Sequence, residues 1–312
     1  MPVYMVQDYI THSLESLLSQ TDRNFEIILV DDGTKDDSIK IAVKVLTGTD
    51  IQYSVIRQEN SGVSAARNAG MKQAVGEWII CIDPDDCIHP RTFEFIHKVI
   101  EEENDIEIVA FNYVIYHNSS KLEYQQYEEQ IGCEWIESNR AMELYANRSL
   151  RMITPGLCIK RNICEKKKFY YDSKIIYSED TLYIWDILLR TKGISYISTP
   201  LYYYLMRPGS TMTSSGIQKI MNGYEAYIKF YEELNKRYRF KGQEFVLARW
   251  VFGVTHQAAH YMDITTFKKL IELLHYKGHM KRLLHYNKLS IRLCAMIMLI
   301  IGSNGYYILR MK

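Results

Sequence analysis

Proline and glycine are scarce in this chain, six and sixteen among 312 residues, which argues against a collagen-like or low-complexity disordered protein. Charge of one sign is scarce as well. Thirty-eight Lys+Arg face 37 Asp+Glu, a formal net charge of +1, so no whole-chain basic field suits nucleic acid. The six cysteines, at 81, 87, 133, 158, 164 and 294, form no C-x-x-C pair. Zinc-knuckle and thioredoxin-type redox sites are thereby excluded, and a reduced compartment is the simpler setting. Long apolar runs are missing too: the longest, 293–301, falls well short of the roughly 20 residues that a spanning helix needs. The opening MPVYMVQDYI lacks the basic and apolar regions of a signal peptide, so a cytoplasmic location is expected.

What is present is ordinary for a folded chain, 47% hydrophobic and 24% charged, with length enough for a substantial core. Two biases stand out. Tyrosine is used 25 times, which fits sugar or membrane-surface contacts. From Phe267 onward nine Lys+Arg accompany one acid, Glu272. Mixed with Leu284, Ile291, Leu293, Met296 and Tyr306, these cations suit an anionic membrane surface, a solvated helix face being the plainer alternative.

Along residues 1–115 helical and strand patterns alternate. Helical spacing covers 7–19, 37–46, 63–74 and 93–103, and apolar strand-like runs cover 25–30, 52–57, 78–82 and 106–116. Such alternation predicts an α/β fold, a mostly parallel sheet between helices, with ligands at the carboxyl ends of strands. Residues 116–215 are expected to form a second half, acceptor-binding by the family resemblance given below, with a helix near 140–147 and another from Glu179. Residues 216–312 read as a helical, basic C-terminal extension.

Three segments could carry chemistry. Asp83, Asp85 and Asp86 follow the strand WIICI, and carboxylates this close call for a compensating cation. Oxygen ligands without His or Cys suit Mg²⁺ or Mn²⁺, against the bland alternative of a solvated acidic turn. The spacing is not that of an EF-hand. A haloacid-dehalogenase-type phosphatase also opens with strand and D-x-D, but Cys87 stands where that motif wants Thr or Val. The second segment, VDDGTKD at 30–36, places Asp31 and Asp32 after a strand, where an acid can accept from a ribose or base; the alternative is an Asx-type turn. The third, 59–70, opens a helix with small residues and Arg67, which either reaches a diphosphate or belongs to tight helix–sheet packing. Elsewhere His256 and His260 have the spacing of a zinc-protease helix, but Gln257 replaces the general-base Glu.

In this order the segments resemble glycosyltransferase family 2, with its GT-A nucleotide-sugar-binding fold. The likeness runs through PVY (2–4), VDDGTKDDS (30–38), QENSGVSAARNAG (58–70) and IDPDD (82–86), and resumes at SED (178–180) and YYYLMRPGS (202–210). It implies an inverting, metal-dependent transferase that moves a sugar from a nucleotide-diphosphate donor, a UDP-sugar most commonly, to a glycan or lipid-linked acceptor. The setting it implies is surface polysaccharide synthesis on the inner face of the cell membrane. Residue by residue, it implies that Pro2, Tyr4, Asp31 and Asp32 hold the nucleoside and that Arg67 lies near base or phosphates. Asp83 would contact the ribose side and share the metal with Asp85. Asp180 would be the general base, and Arg207 and Ser210 would make phosphate or lid contacts. The chain departs from the family in three places. It begins at Met1-Pro2, so the first strand is expected to be incomplete; Met5 replaces a usual Asn; and 154–159 lacks the usual Trp and Lys. The short first strand motivates an alternative, a catalytically impaired nucleotide-sugar-binding partner subunit.

Overall fold

Apolar runs bounded by turn residues form the first sheet. Strands β1 (Pro2–Val3), β2 (Glu26–Asp31) and β3 (Gln52–Arg57) pair in parallel, in the registers Val3↔Asp31 and Asp31↔Arg57. Helices α1 (Ile10–Leu18) and α2 (Ser38–Leu46) make the crossovers, and α3 (Val63–Gln73) follows β3. The computed structural model of the protein describes residues 1–103, 105–117, 123–127, 131–206 and 216–311. It comprises two units, one of residues 1–145, 150–174 and 179–207, the other of 146–149, 175–178 and 208–312.

The rest of the first unit forms β4 (Trp78–Ile80), β5 (Cys87–Ile88), α4 (Thr92–Glu102), β6 (Ile108–Tyr116), β7 (Cys133–Glu137), α5 (Ser138–Ala146), β8 (Leu157–Lys160), α6 (Arg161–Lys167), α7 (Glu179–Arg190) and β9 (Gly193–Leu205). A six-stranded sheet takes the order β4-β8-β6-β9-β5, with β7 on β9. Here the expected, mostly parallel arrangement needs correction. β4 and β6 do run in one direction, but β8 is inserted antiparallel between them, pairing Ile79↔Ile159 and Ile108↔Ile159. Local periodicity cannot announce that insertion, because β8 arrives only after β7 and α5 have intervened.

One face of β2 buries Ile27 and Leu29 with Val3, Ile10, Leu14, Ile39 and Leu46. Each such side chain contributes roughly 1.5–3 kcal/mol on burial. The other face buries Ile28 and Val30 against Ala66 of α3. Close approach matters there: a Cβ on Gly70 would meet Val30 Cγ2 at 3.3 Å. Ala66 and Gly70 are therefore packing residues.

The second unit is helical: α8 (Ile217–Arg237), α9 (Val246–Tyr261), α10 (Ile264–Leu273), α11 (Tyr276–Leu283), α12 (Leu289–Ile300) and α13 (Gly302–Met311). Asp263 caps α10 by accepting from the amides of Thr265 and Thr266. Trp250 stacks on Tyr224 and Tyr227, with ring centroids at 5.7 and 5.3 Å, and donates to Ser178 Oγ at 2.8 Å. The basic tail is integral to this unit, since Phe267, Leu270, Leu274, Met280 and Leu283 are fully buried. His256 bonds Tyr306 Oη at 2.6 Å, and no group of three metal-ligating side chains exists among the described residues.

Candidate active site

The ends of β1 and β2 bring the first set of expected residues together. Pro2 pairs with Val30 and Val3 with Asp31, while the Asp32 amide donates to Val3 O at 3.1 Å. Tyr4, exposed, leaves the end of β1 beside Asp31 and Asp32. Asp31 Oδ1 accepts from the Thr34 amide at 2.9 Å, and Arg57 Nε approaches its other oxygen at 3.8 Å. Asp32 is buried and its carboxylate is already taken. It accepts from Gln58 Nε2 at 2.7 Å, the Ser61 amide at 2.8 Å and the Gly62 amide at 2.9 Å. This carboxylate holds the loop that launches α3, where free helix N–H groups favour negative charge. Gly33 lies in the left-handed region, φ 72°, and a Cβ there would meet the Asn60 nitrogen at 3.0 Å. Met5, where the family usually has Asn, is also left-handed at φ 53°.

One and a half turns into α3 stands Arg67. Its side chain is only 3% exposed, and its fork joins two carboxylates: Nη1 donates to Asp180 Oδ1 at 2.5 Å and Nη2 to Asp83 Oδ1 at 2.7 Å. Arg67, expected near base or phosphates, thus bridges two other expected site residues. Burial opposes its charge, yet Asp180 and Asp83 more than offset that and hold it charged. Its face lies over Tyr171, 5.1 Å to the ring centroid, and its Nε is buried without a partner among the described residues. Tyr171 is itself clamped by Asn68, which exchanges two 2.8 Å bonds with its backbone.

The acidic turn after β4 divides its three carboxylates. Asp86 is buried and accepts from Tyr202 Oη at 2.6 Å and from the Leu205 amide at 2.7 Å, so it fastens the turn to β9. Burial, then Asp85 and Asp83, push its carboxyl well up. Asp83 is also pushed up, by burial first; Arg67 opposes this and Asp180 and Asp85 add to it. Asp85 is half-buried between them. Glu179 and Asp180 form the first turn of α7. Asp180 is 42% exposed, while burial and then Asp180 push Glu179 up to about 7. Among the described residues the Arg67 guanidinium thus lies between Asp83 and Asp180, with Asp85 and Glu179 as their neighbours in sequence.

Oxygen ligands of this kind suit a hard divalent cation that takes one or two protein carboxylates and the rest of its ligands from a diphosphate and water. Asp85 and Asp83 would hold it. Arg207 and Ser210 lie outside the described residues. Sequence reasoning gave no role to Glu179, Asn68, Tyr171 or Tyr202. Tyr171 comes 103 residues after Asn68 and nothing local signals the pairing.

The sequence profile of Glycosyl transferase family 2 matches residues 1–167. Glycosyltransferase GlyG of Streptococcus pneumoniae is 30% identical over 218 residues, covering 68% of this chain and 71% of GlyG. Poly(ribitol-phosphate) beta-N-acetylglucosaminyltransferase TarS of Staphylococcus aureus is 25% identical over 218 residues, which is 69% of this chain but only 36% of TarS. Among solved structures, S. aureus TarS 1-349 in complex with UDP-GlcNAc covers 99% of this chain and 87% of its own at TM-score 0.67 and 19% identity. The Pyrobaculum calidifontis mannosyltransferase PcManGT, in complex with GDP-Man and Mn2+, covers 99% of this chain and 82% of its own at TM-score 0.53 and 11% identity. The likeness to solved structures is one of fold, and that fold is GT-A. A family profile spanning more than half the sequence, together with a 30% identical relative, goes further and sets aside the phosphatase alternative: the chain belongs to glycosyl transferase family 2.

Proposed function

We propose that the protein is an inverting, metal-dependent glycosyltransferase that moves a sugar from a nucleoside-diphosphate donor, a UDP-sugar first among candidates, to a glycan or lipid-linked acceptor in surface polysaccharide synthesis. One observation carries this reading: Arg67 gathers Asp83 and Asp180 onto one fork, although Asp180 lies 113 residues further along the chain. The fork orients both carboxylates without needing solvent. Tyr4 and Asp31 take the nucleoside at the sheet edge, and Pro2 shapes that edge. Asp85 and Asp83 face the diphosphate, and Arg207 is assigned a phosphate contact. A bound Mn²⁺ or Mg²⁺ would offset the charge developing on the departing diphosphate. Asp180, held by Arg67 yet open to solvent, takes the acceptor hydroxyl's proton as that oxygen attacks the anomeric carbon from the face opposite the leaving group. The UDP-GlcNAc bound to TarS and the GDP-Man and Mn2+ bound to PcManGT support this class of donor and cofactor.

The same reading puts the protein on the inner face of the cell membrane. Among the described residues no helix is long and apolar enough to cross a bilayer. α12 instead exposes Leu289, Leu293, Met296 and Ile300 at i, i+4, i+7 and i+11, one continuous face, with Lys288 and Arg292 exposed nearby. The test is a panel of nucleotide sugars scored for nucleotide release and transfer with Mn²⁺ present. Asp180→Asn should lower turnover by about 10²-fold with donor affinity near wild type, and chelation should abolish donor binding. Donor binding unchanged in EDTA refutes the metal role, and equal loss of donor affinity in Asp180→Asn refutes the base role. No turnover of any donor by the wild type would favour the impaired-subunit alternative.

A further inference from the structure

The helical unit holds a cluster that the transfer reaction does not use. Arg249, on α9, spreads its guanidinium over two rings, 5.4 Å from the Phe252 centroid and 5.3 Å from that of Tyr286. Its faces are therefore covered, but the edges carry the donors. Nε and Nη1 are buried and have no hydrogen-bond partner among the described residues. The Tyr286 hydroxyl is in the same position: the residue is 3% exposed and its Oη has no partner either. A second guanidinium stands alongside. Arg148 lies against α9 at Gly253, one turn after Arg249, where a Cβ would meet Arg148 Nη2 at 3.9 Å. Burial first, then Arg148, push Arg249 down to about 10, so the two cations oppose each other at close range. Lys288 adds a third charge, its Nζ 3.5 Å from the Arg148 carbonyl oxygen. No carboxylate pairs with Arg249 or Arg148 in any ion pair formed by the described residues.

Two like charges and three unpartnered buried donors are unfavourable together unless an acceptor-rich anion joins them. A carboxylate offers two oxygens. A phosphate ester offers three or more around a tetrahedron, and guanidinium forks match that geometry. We propose that Arg148, Arg249 and Tyr286 form a phosphate-binding site in the helical unit, with Arg148 at the mouth, Arg249 and the Tyr286 hydroxyl at its base, and Lys288 at the rim. The ligand is a phosphate monoester or diester, either a free molecule or a lipid headgroup. None of these residues belongs to the carboxylate site, so the two assignments stand or fall separately.

The test uses the full-length protein in EDTA, which silences metal-linked binding at the donor site. Inorganic phosphate is titrated against chloride of matched ionic strength, with calorimetry and the thermal midpoint as readouts. Wild type should bind phosphate and gain in midpoint. Arg148→Gln, an exposed change that leaves the core intact, should weaken phosphate at least about tenfold, the loss of charge-assisted bonds. Arg249→Lys should do likewise, because an ammonium cannot supply the fork. A second arm uses phosphatidylcholine vesicles with and without phosphatidate. Vesicle binding that is lost in Arg148→Gln and competed by free phosphate assigns a headgroup; phosphate binding with unchanged vesicle binding assigns a free ester. Equal phosphate affinity in wild type and Arg148→Gln overturns the proposal. So does a folded Arg249→Met variant with the wild-type phosphate response, which would make Arg249 a ring-stacking group alone.

Discussion

Removing Arg67 should leave two carboxylates of the first unit without their partner and destabilise it strongly. In Arg67→Met the stem is kept and the fork is lost, so packing over Tyr171 changes little while two carboxylates lose their partner. The Asp180 pair is discounted, because that carboxylate is 42% exposed and water can replace the guanidinium, leaving about 1 kcal/mol. The Asp83 pair is not discounted so heavily. That carboxylate is 20% exposed, already pushed up by burial, and would be left buried beside Asp85 and Asp180 at a cost of about 3 kcal/mol. The total is about 4 kcal/mol, a large share of a domain's stability. The pH dependence has a definite sign. Without Arg67 the Asp83 pKa rises further above its unfolded value, so the folded variant binds a proton more readily than the unfolded chain. The penalty is then present above that raised pKa and shrinks as pH falls through it. Urea unfolding of wild type and variant near neutrality and again near the carboxylate range measures both quantities. A destabilisation under about 1 kcal/mol, or one independent of pH, would falsify the view that Arg67 compensates buried acid. Arg67→Lys should recover only part, since one ammonium cannot span both carboxylates in fork geometry.

Three further outcomes follow from particular residues. Glu179 is raised from 4.5 to about 7, so it favours folding most below the lower value and loses that advantage up to the higher one; Glu179→Gln should raise the thermal midpoint at mildly alkaline pH, by at most about 3 kcal/mol of stability, and change it little below the unfolded pKa. An equal shift at both pH values would contradict that assignment. Met5 holds φ 53° with its side chain half exposed and its amide donating to Thr34 Oγ1 at 2.8 Å, so Met5→Asn should stabilise by about 1 kcal/mol in chemical denaturation; a loss of stability shows that the thioether packs usefully. Replacing Leu293 and Met296 by Ser should abolish sedimentation with anionic vesicles at low salt while leaving nucleotide release intact, and undiminished sedimentation removes α12 from the membrane reading.

The parts of this protein legible in its sequence are those where the signal is local. Strand β2 is read from six consecutive residues, its turn from Asp31-Asp32-Gly33, and α3 from small residues whose packing role shows as Gly70 against Val30. Two of the three acids after β4 can be sorted only in three dimensions. Asp86 looks like its neighbours until Tyr202 arrives from β9, 116 residues later, to donate at 2.6 Å. Arg67 shows the same limit. A helix-start arginine beside small residues suggests a phosphate, and nothing local announces that its partners within the chain come from the turn after β4 and from the first turn of α7.

The basic C-terminal third illustrates a different failure of pattern reading. Counting charges from Phe267 onward suggests an appendage that could be cut away, yet Phe267, Leu270 and Met280 are core residues of the helical unit. Charge composition reports what a segment shows to solvent, and it is blind to the apolar face on the other side of the same helix. Apart from Leu273 on α10, the large apolar residues of the helices shown as exposed beyond Phe267 lie on α12 and α13, where Leu289, Leu293, Met296, Ile300, Ile308 and Leu309 are exposed. Truncation at Phe267 would therefore unfold the unit and lose vesicle binding for the wrong reason. Point changes on the exposed face of α12 separate the two causes, because they remove apolar surface from solvent contact and leave every buried side chain in place.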